Sequence, residues 1–233
     1  MTREQYINKL FEIYSLVSVL STKNDCKVLR IRNKSAHKDL VVRSFPNSCP
    51  AYEELYNIQS ENLPLILDVI NVDDGQIVLE EYINGITIAQ VMETGHYRYS
   101  GAKKVMKGLC NALHILHEHN LIHRDVKPEN IIVADSGRVV LIDFNASRKV
   151  SVANKDTVIM GTVGYASPEQ LGLTQSDART DIYAAGILLN VMMTGSHPSE
   201  KLGRGKIGRI VRKCTNVNPN ERYQTAKKLL KSL

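Results

Sequence analysis

The sequence predicts an α+β fold in which a small region of β-sheet and helix is followed by a larger, mainly helical region. Apolar and polar residues alternate at 26–33 and 39–45, which is the pattern of half-buried strands. Apolar residues recur at helical spacing at 105–120 and 177–195, in the second half of the chain. Between the two regions, the segment 121–147 has two short apolar runs around a Ser-Gly turn, which predicts a β-hairpin.

The composition limits the class of protein. The chain has 233 residues, of which 43% are hydrophobic, and this is enough for one full core or two small lobes. No apolar run approaches the roughly 20 residues that span a bilayer, and the segment MTREQYINKL lacks the apolar core of a signal peptide. Four scattered cysteines without metal-ligand spacing indicate reduced thiols. We therefore expect a folded cytoplasmic protein with no membrane segment in this chain.

The first region is predicted to begin with an amphipathic helix that covers one side of a small sheet. The predicted elements, in order, are a helix at 3–20, strands at 26–33 and 39–45, a helix at 50–61, and strands at 65–72 and 76–82. Pro50 is well placed for the first turn of its helix. Asp73-Asp74-Gly75 predicts a tight turn between the last two strands.

Polar residues lie at both ends of the predicted hairpin at 121–147. Asp125, Lys127 and Asn130 precede its first strand, and Asp143 directly follows its second strand. Because a hairpin brings its two ends together, we expect these four side chains to surround one small volume.

These residue types suit phosphoryl transfer. Asp125 can accept the proton of an attacking hydroxyl, and Lys127 can neutralise charge on the moving phosphoryl group. Asn130 and Asp143 offer hard oxygen ligands to a magnesium ion held by phosphates. A solvated, charged turn is the alternative, but the polar residues stand at the offsets of a known catalytic loop.

His123 to Asn130 match the catalytic loop of the protein kinases residue by residue. The chain resembles the eukaryotic-like (Hanks-type) Ser/Thr kinases of bacteria, because a lysine two residues after the aspartate is typical of them. The resemblance implies a bilobal protein-kinase fold in a single domain, 1–233, with an N-lobe at about 1–82 and a C-lobe at about 83–233. It also implies ATP and Mg²⁺, with Mn²⁺ as an alternative, bound between the lobes, and a protein substrate.

The metal-binding triplet Asp143-Phe144-Asn145 departs from the family's Asp-Phe-Gly at its last residue. Asn tolerates the left-handed backbone region better than other non-glycine residues. We therefore expect Asn145 to adopt that conformation, so that Asn145→Gly is tolerated and Asn145→Val is damaging.

The N-lobe departs from the family at the residue that contacts the nucleotide phosphates. Arg43 stands where the family has a lysine, and Lys27 on the neighbouring strand is the alternative cation. We expect Arg43 to pair with Glu54, in preference to Glu53, on the helix that follows. Glu80, at the position that lines the back of the adenine pocket, is another candidate partner.

The segment STKND at 21–25 stands where the family has a glycine-rich loop over the phosphates. Its side chains would limit the close backbone approach that glycine permits. The resemblance implies that backbone groups of Glu81 and Ile83 bind adenine and that Ile132 also contacts the nucleotide.

Several residues beyond the hairpin match supporting positions of the family. Thr162 matches a threonine that bonds the catalytic aspartate and lysine and positions the substrate. Glu169 and Arg222 match a buried salt bridge, and Asp181 matches the residue that braces the catalytic loop. These roles are implied by the resemblance.

A regulatory switch is also implied. Arg124 precedes the catalytic aspartate, where kinases controlled by activation-loop phosphorylation usually have an arginine. Thr157, five residues before Thr162, is the expected phosphate acceptor, and Ser151 is the second choice. A fixed arginine can order a phosphorylated loop through paired hydrogen bonds to the phosphate.

Other classes of function are weaker hypotheses. Arg43 and the absent glycine-rich loop favour a non-catalytic, kinase-like binding module, whereas the complete set around Asp125 opposes it. A small-molecule kinase is a third hypothesis, and the segment GTVGYASPEQ argues for the protein-kinase branch. The net charge of +6 suggests nucleic acid, but no aromatic residues interleave with the C-terminal basic residues, so none is expected. The histidines of the segment 105–120 are assigned to an ordinary helix surface rather than to a metal site.

Overall fold

The computed structural model consists of two compact units. The first comprises Met1–Ser60 and Pro64–Ile83, and the second comprises Glu61–Leu63 and Asn84–Leu233. The structure describes residues 1–23, 25–56, 58–149, 162–171 and 175–233.

The first unit is an antiparallel sheet with a helix packed on one face. Its elements are α1 (Arg3–Ile13), β1 (Tyr14–Lys23), β2 (Cys26–Asn33), β3 (Asp39–Phe45), α2 (Pro50–Leu55), β4 (Ile66–Val72) and β5 (Gly75–Glu81). The strand order is β1-β2-β3-β5-β4. The four predicted strands are confirmed to within a residue at each end. The predicted turn before Gly75 is also confirmed: its φ is 147°, and a Cβ there would lie 1.9 Å from the Phe45 carbonyl oxygen.

The helix predicted at 3–20 is wrong in its second half. It begins with a capping box between Thr2 and Gln5, but it ends at Ile13, and the chain continues as strand β1. The segment SLVSVLSTK contains Val17, Val19 and Thr22, β-branched residues that favour a strand. The ladder of β1 with β2 gives the backbone groups of this segment their partners. Asp25, the last residue of STKND, directly precedes β2 and has a φ of 59°.

The two faces of the sheet differ. One face carries a buried apolar cluster against which α1 packs through Tyr6, Ile7, Leu10 and Phe11; the cluster is Leu29, Ile31, Leu40, Val42, Ile77 and Leu79. Side chains directly opposite one another on neighbouring strands share a face. Val28, Arg43 and Val78 are opposite one another in register, and therefore lie on the other face of the sheet.

Helix α2 is shorter than predicted. It begins at Pro50, as expected, but ends at Leu55 instead of at about residue 61. Its buried side chains are Ala51, Tyr52 and Leu55, and Tyr52 stacks on Phe45 with the ring centroids 5.5 Å apart. Glu54 is half-buried on this short helix.

The second unit is mainly helical and also holds the predicted hairpin. Its elements are β6 (Gly85–Thr87), α3 (Ile88–Glu93), α4 (Tyr99–Glu118), β7 (Leu121–Ile122), β8 (Ile131–Ala134), β9 (Val139–Leu141), β10 (Arg148–Lys149), α5 (Ala178–Thr194), α6 (Gly205–Cys214) and α7 (Ala226–Ser232). Strands β8 and β9 pair as the hairpin, with β6 on the other side of β8, and β10 pairs with β7. Within the described ranges, none of the helices combines the length and apolar character needed to cross a bilayer.

The central helices of this unit follow from local signals. Asp177 caps the start of α5, and Gly195 ends it with a φ of 71°. Helix α4 begins at Tyr99, six residues before the predicted start of 105, and the buried Ala102 extends its buried stripe toward that end. Helices α4 and α5 are buried over much of their length and support the loop that follows β7.

Candidate active site

The hairpin brings the expected segments together. Ile131 pairs with Leu141, so the chain after β9 returns to the start of β8. The Ile142 amide donates to the Asn130 carbonyl oxygen at 2.9 Å, which places the residue before Asp143 beside Asn130. The pairing of β8 with β9 therefore determines the spacing between the two predicted metal ligands.

Asp125 lies at the centre of a compact polar cluster. Lys127 Nζ donates to Asp125 Oδ2 at 2.7 Å, and Asn130 Nδ2 donates to the same oxygen at 2.9 Å. The hydroxyl of Thr162 donates to Asp125 Oδ1 at 2.7 Å. An ionised carboxylate offers about four acceptor positions, so these contacts leave room for the hydroxyl of a substrate.

Thr162 connects the lysine and the aspartate. Its hydroxyl accepts from Lys127 Nζ at 2.8 Å while it donates to Asp125, so one oxygen bridges the two charged groups. This confirms the predicted contacts of Thr162. Because Thr162 is 35 residues from Lys127 in sequence, the contact also ties its segment to the catalytic loop.

The charge state of Asp125 follows from its neighbours. Burial alone would raise the pKa of the carboxyl, but the hydrogen bonds from Lys127 and Thr162 and the lysine charge outweigh it. The pKa of Asp125 is therefore below its ordinary value, and the group is a carboxylate at neutral pH. An ionised carboxylate in a half-buried position can orient a hydroxyl and accept its proton.

Asn130 is oriented as a metal ligand would need to be. It is 5% exposed, and its Nδ2 donates to both the carbonyl oxygen and Oδ2 of Asp125, each at 2.9 Å. With the nitrogen engaged on Asp125, the amide oxygen is turned away from that residue. Asn130 therefore offers a hard oxygen, which suits magnesium, as does the carboxylate of Asp143.

The left-handed residue of the triplet Asp143-Phe144-Asn145 is Asp143, with a φ of 68°. The expectation for Asn145 was wrong, because its φ is not positive and the residue lies in an exposed turn. Phe144 is fully buried, with its ring edge-on to His123 at a centroid distance of 5.5 Å. The buried phenylalanine fixes the chain on one side of Asp143, and the aspartate itself takes up the unusual backbone conformation.

Asp181 braces the catalytic loop from α5, as predicted. Its Oδ1 accepts from the Arg124 amide at 2.8 Å, and its Oδ2 accepts from the His123 amide at 2.9 Å. His117 Nε2 lies 2.8 Å from the same Oδ2, and this contact was missed because His117 had been assigned to a helix surface. The signal was its place in the mainly buried helix that leads into the loop. The fully buried carboxylate thus holds two backbone amides and one imidazole.

The long-range salt bridge between Glu169 and Arg222 is confirmed. Arg222 Nη1 and Nη2 donate to the two carboxylate oxygens at 2.6 and 3.0 Å, and both residues are buried. The Thr180 hydroxyl donates to Glu169 as well, at 3.0 Å. This bidentate pair holds the segment after Thr162 against α5 and the C-terminal part of the unit.

Arg124, directly before Asp125, is only 7% exposed and has a φ of 67°. Burial lowers the pKa of its guanidinium, and the charge of Arg148 lowers it further. Two cations thus lie near each other at the point where β10 pairs with β7. The expected phosphate acceptors, Thr157 and Ser151, lie outside the described residues.

In the first unit, Arg43 forms a buried ion pair with Glu80. Arg43 Nε donates to Glu80 Oε1 at 2.7 Å, and the two residues are 6% and 2% exposed. The predicted partner was Glu54, and the partner that the structure describes is the other candidate, Glu80. Lys27, the alternative cation, lies opposite Ser44 in register, on the sheet face that α1 covers and away from Arg43.

The other predicted nucleotide-binding residues are divided between the two units. The Glu81 amide donates to the Leu65 carbonyl oxygen at 2.9 Å, and Glu81 ends β5. Ile83 is buried at the last position of the first unit, whereas Ile132 is half-buried in β8 of the second.

A sheet unit with a cation on its third strand, followed by a helical unit with an Asp-Lys-Asn catalytic loop, is the architecture of a protein kinase. The model of the Protein kinase domain matches residues 24–233, and the chain belongs to that family.

Its relatives include bacterial serine/threonine kinases. The chain is 30% identical over 230 residues to a probable serine/threonine-protein kinase of Clostridium perfringens. That alignment covers 87% of this chain and 33% of the relative. The chain is 26% identical to the serine/threonine-protein kinase PknB of Mycolicibacterium smegmatis (97% of this chain, 43% of that protein). It is also 26% identical to PknB of Mycobacterium tuberculosis (93% and 42%). The chain thus spans less than half the length of these relatives.

Proposed function

We propose that this chain is a cytoplasmic, ATP- and magnesium-dependent Ser/Thr protein kinase that transfers the γ-phosphoryl group of ATP to hydroxyl groups of a protein substrate. The observation that supports this most is the cluster in which Lys127, Asn130 and Thr162 all bond the carboxylate of Asp125. A structural role alone does not require an aspartate, a lysine and an oriented amide in contact with one another.

In the proposed reaction, the substrate hydroxyl binds to Asp125, which orients it and accepts its proton. The hydroxyl oxygen forms a bond to the γ-phosphorus while the bond from that phosphorus to the β,γ-bridging oxygen breaks, so that ADP leaves. Lys127 stabilises the negative charge on the transferred group, and Thr162 holds the lysine and the aspartate in register.

The donor set suits a bound magnesium ion. Asn130 would hold this ion through its amide oxygen and Asp143 through its carboxylate, both hard oxygen ligands. When bound, the ion supplies positive charge that shields the phosphates from the attacking oxygen. We propose further that Arg43 contacts the nucleotide phosphates and that adenine is bound through Glu81 and Ile83, with Ile132 beside it.

A second candidate is a catalytically weak, kinase-like protein that binds nucleotide or a partner. The pairing of Arg43 with Glu80, a partner that the family's lysine does not use, favours it, as does the segment STKND, which contains no glycine. The two candidates share ATP binding and differ in phosphoryl transfer.

Incubation with radiolabelled ATP and magnesium, with and without a generic basic protein, separates the two candidates. We expect transfer of label by the parent and none by Asp125→Asn, which keeps the shape of the side chain but removes its charge. Asp135→Asn, which changes an exposed carboxylate in the β8–β9 turn, is the matched control. Binding of ATP without transfer by the parent would support the second candidate.

A further inference from the structure

The ion pair of Arg43 lies entirely within the sheet of the first unit. Val41 on β3 is opposite Glu80 on β5, and Arg43 is opposite Val78, so Arg43 and Glu80 are diagonal neighbours on one face. Diagonal neighbours on antiparallel strands are within reach of each other's long side chains. The 2.7 Å contact between Arg43 Nε and Glu80 Oε1 therefore joins two strands that are hydrogen-bonded along their length.

Both charges are deeply buried. The side chains of Arg43 and Glu80 are 7% and 3% exposed. A buried guanidinium needs a compensating carboxylate, because an unpaired charge in such a place is strongly unfavourable. Glu80 supplies that charge and, through one short hydrogen bond to Nε, also restricts the orientation of the planar group.

The chemistry of arginine allows a second role at the same time. A guanidinium has about five N–H donors in a rigid, planar arrangement, and a bond through Nε involves one edge of that plane. A carboxylate and a phosphate can therefore be bound by different edges of one arginine, which the compact ammonium of lysine does not permit in a fixed geometry.

We propose that Glu80 is the positioning residue for Arg43: it orients the phosphate-binding cation from inside the sheet, in the role predicted for Glu54 of α2. This inference rests on the proposed function, in which Arg43 contacts the phosphates of ATP. Because β3 and β5 are neighbouring, hydrogen-bonded strands, this contact orients the cation from within the sheet itself. Nucleotide binding then responds to the loss of Glu80 and much less to the loss of Glu54.

If Glu80 held Arg43 away from the nucleotide, the loss of Glu80 would change ATP binding in the opposite direction. If Glu80 withdrew Arg43 from the nucleotide, removal of its charge would release the arginine and strengthen ATP binding. If Glu80 positions Arg43, removal of its charge weakens ATP binding. The direction of the change in the KM for ATP therefore distinguishes the two roles.

The experiment measures KM for ATP and kcat separately for Glu80→Gln and Glu54→Gln, with Glu12→Gln, an exposed carboxylate of α1, as the matched control. We expect Glu80→Gln to raise the KM for ATP by about tenfold or more while kcat stays within about twofold of the parent. This pattern indicates the loss of an interaction that is equally strong in the ground state and the transition state. The change at Glu54→Gln should be at least fivefold smaller, and Glu80→Asp should recover part of the loss. A KM that is unchanged or lower in Glu80→Gln, or a loss at Glu54→Gln as large as at Glu80→Gln, would overturn the proposal.

Circular dichroism shows whether Glu80→Gln folds. If it does not fold, a second comparison tests the same proposal. The double variant Arg43→Met/Glu80→Met removes both buried charges, a change that proteins tolerate better than the loss of one partner. Its affinity for MgATP, measured with a fluorescent analogue, should equal that of Arg43→Met to within about twofold. A large effect of Glu80 in the absence of Arg43 would overturn the positioning role.

The parent protein distinguishes failure of the proposed function from failure of this inference. If the parent binds no MgATP, both are overturned. If the parent binds MgATP and Glu80→Gln binds it equally well, only the inference is overturned.

Discussion

Replacement of Arg222 by methionine tests the buried salt bridge that holds the segment after Thr162. Arg222 is 2% exposed and Glu169 is 3% exposed. The guanidinium also donates to the carbonyl oxygens of Asn216, Arg179 and Val217, at 2.7, 3.0 and 3.3 Å. The side chain thus connects Glu169 to two further segments of the second unit.

The expected loss of stability is large because Glu169 would remain buried without its cation. Removing one partner of a buried pair costs about 3–5 kcal/mol. For a chain of this size, each kcal/mol lowers Tm by about 2–4 °C, so we expect a decrease of about 6–20 °C. The hydrogen bond from Thr180, at 3.0 Å, stays in place and moderates the loss, because it still satisfies one carboxylate oxygen.

The acid side of the pH profile should change in a defined direction. Burial opposes ionisation of Glu169, but the bonds from Arg222 outweigh it and lower the pKa below the ordinary value of 4.5. A lowered pKa in the folded state contributes stability above the ordinary pKa, and this contribution is lost as the pH falls through the folded-state pKa. The difference in stability between parent and Arg222→Met should therefore be greatest near neutral pH and should shrink in acid.

Thermal and urea unfolding at neutral pH, followed by circular dichroism, measure the effect. The double variant Glu169→Gln/Arg222→Met should be more stable than Arg222→Met, because it no longer buries a lone charge. Arg209→Met, at an exposed arginine of α6, is the matched control and should change stability by no more than about 0.5 kcal/mol. A loss below about 1 kcal/mol in Arg222→Met would show that the salt bridge does not hold this region together.

The remaining predictions concern the active site. Asp143→Asn should abolish magnesium-dependent ATP binding while the melting curve stays that of the parent; unchanged ATP affinity in magnesium would remove Asp143 from the metal site. Thr162→Val should lower kcat by about tenfold to a hundredfold, because the hydroxyl that bridges Lys127 and Asp125 is lost. Thr162→Ser keeps the hydroxyl and should keep most of the activity. Equal rates in the two variants would contradict the bridging role. Mass spectrometry after incubation with MgATP should find phosphate on Thr157, or otherwise on Ser151, and Thr157→Ala should be less active; no phosphate on either residue and full activity of Thr157→Ala would exclude that switch.

Local sequence patterns determined most of the individual elements. The alternation in the first region predicted its strands to within a residue, because a half-buried strand imprints a period of two on its residues. The turn at Gly75 and the end of α5 at Gly195 followed from the need for a positive φ. The contacts among Asp125, Lys127 and Asn130 were equally predictable, since these residues lie within a short stretch whose offsets are set by local geometry.

Contacts between distant segments were beyond the sequence pattern. The segment after Ile13 has apolar residues at helical spacing, yet it forms β1, because β2 is available as a partner for its backbone groups along the whole strand. The bond from His117 to Asp181 likewise depends on how α4 packs against α5. Sequence spacing carries no information about which of two helices a histidine will face.

The contact between Arg43 and Glu80 depends on the tertiary structure and not on the sequence pattern. The sequence named Glu54 and Glu80 as candidates, and both are acidic residues at plausible distances along the chain. Only the register of β3 with β5 places Glu80 on the same face as Arg43, within hydrogen-bond distance. A register is the collective result of a whole ladder of backbone bonds, so it cannot be derived from the residues at either end of one ion pair.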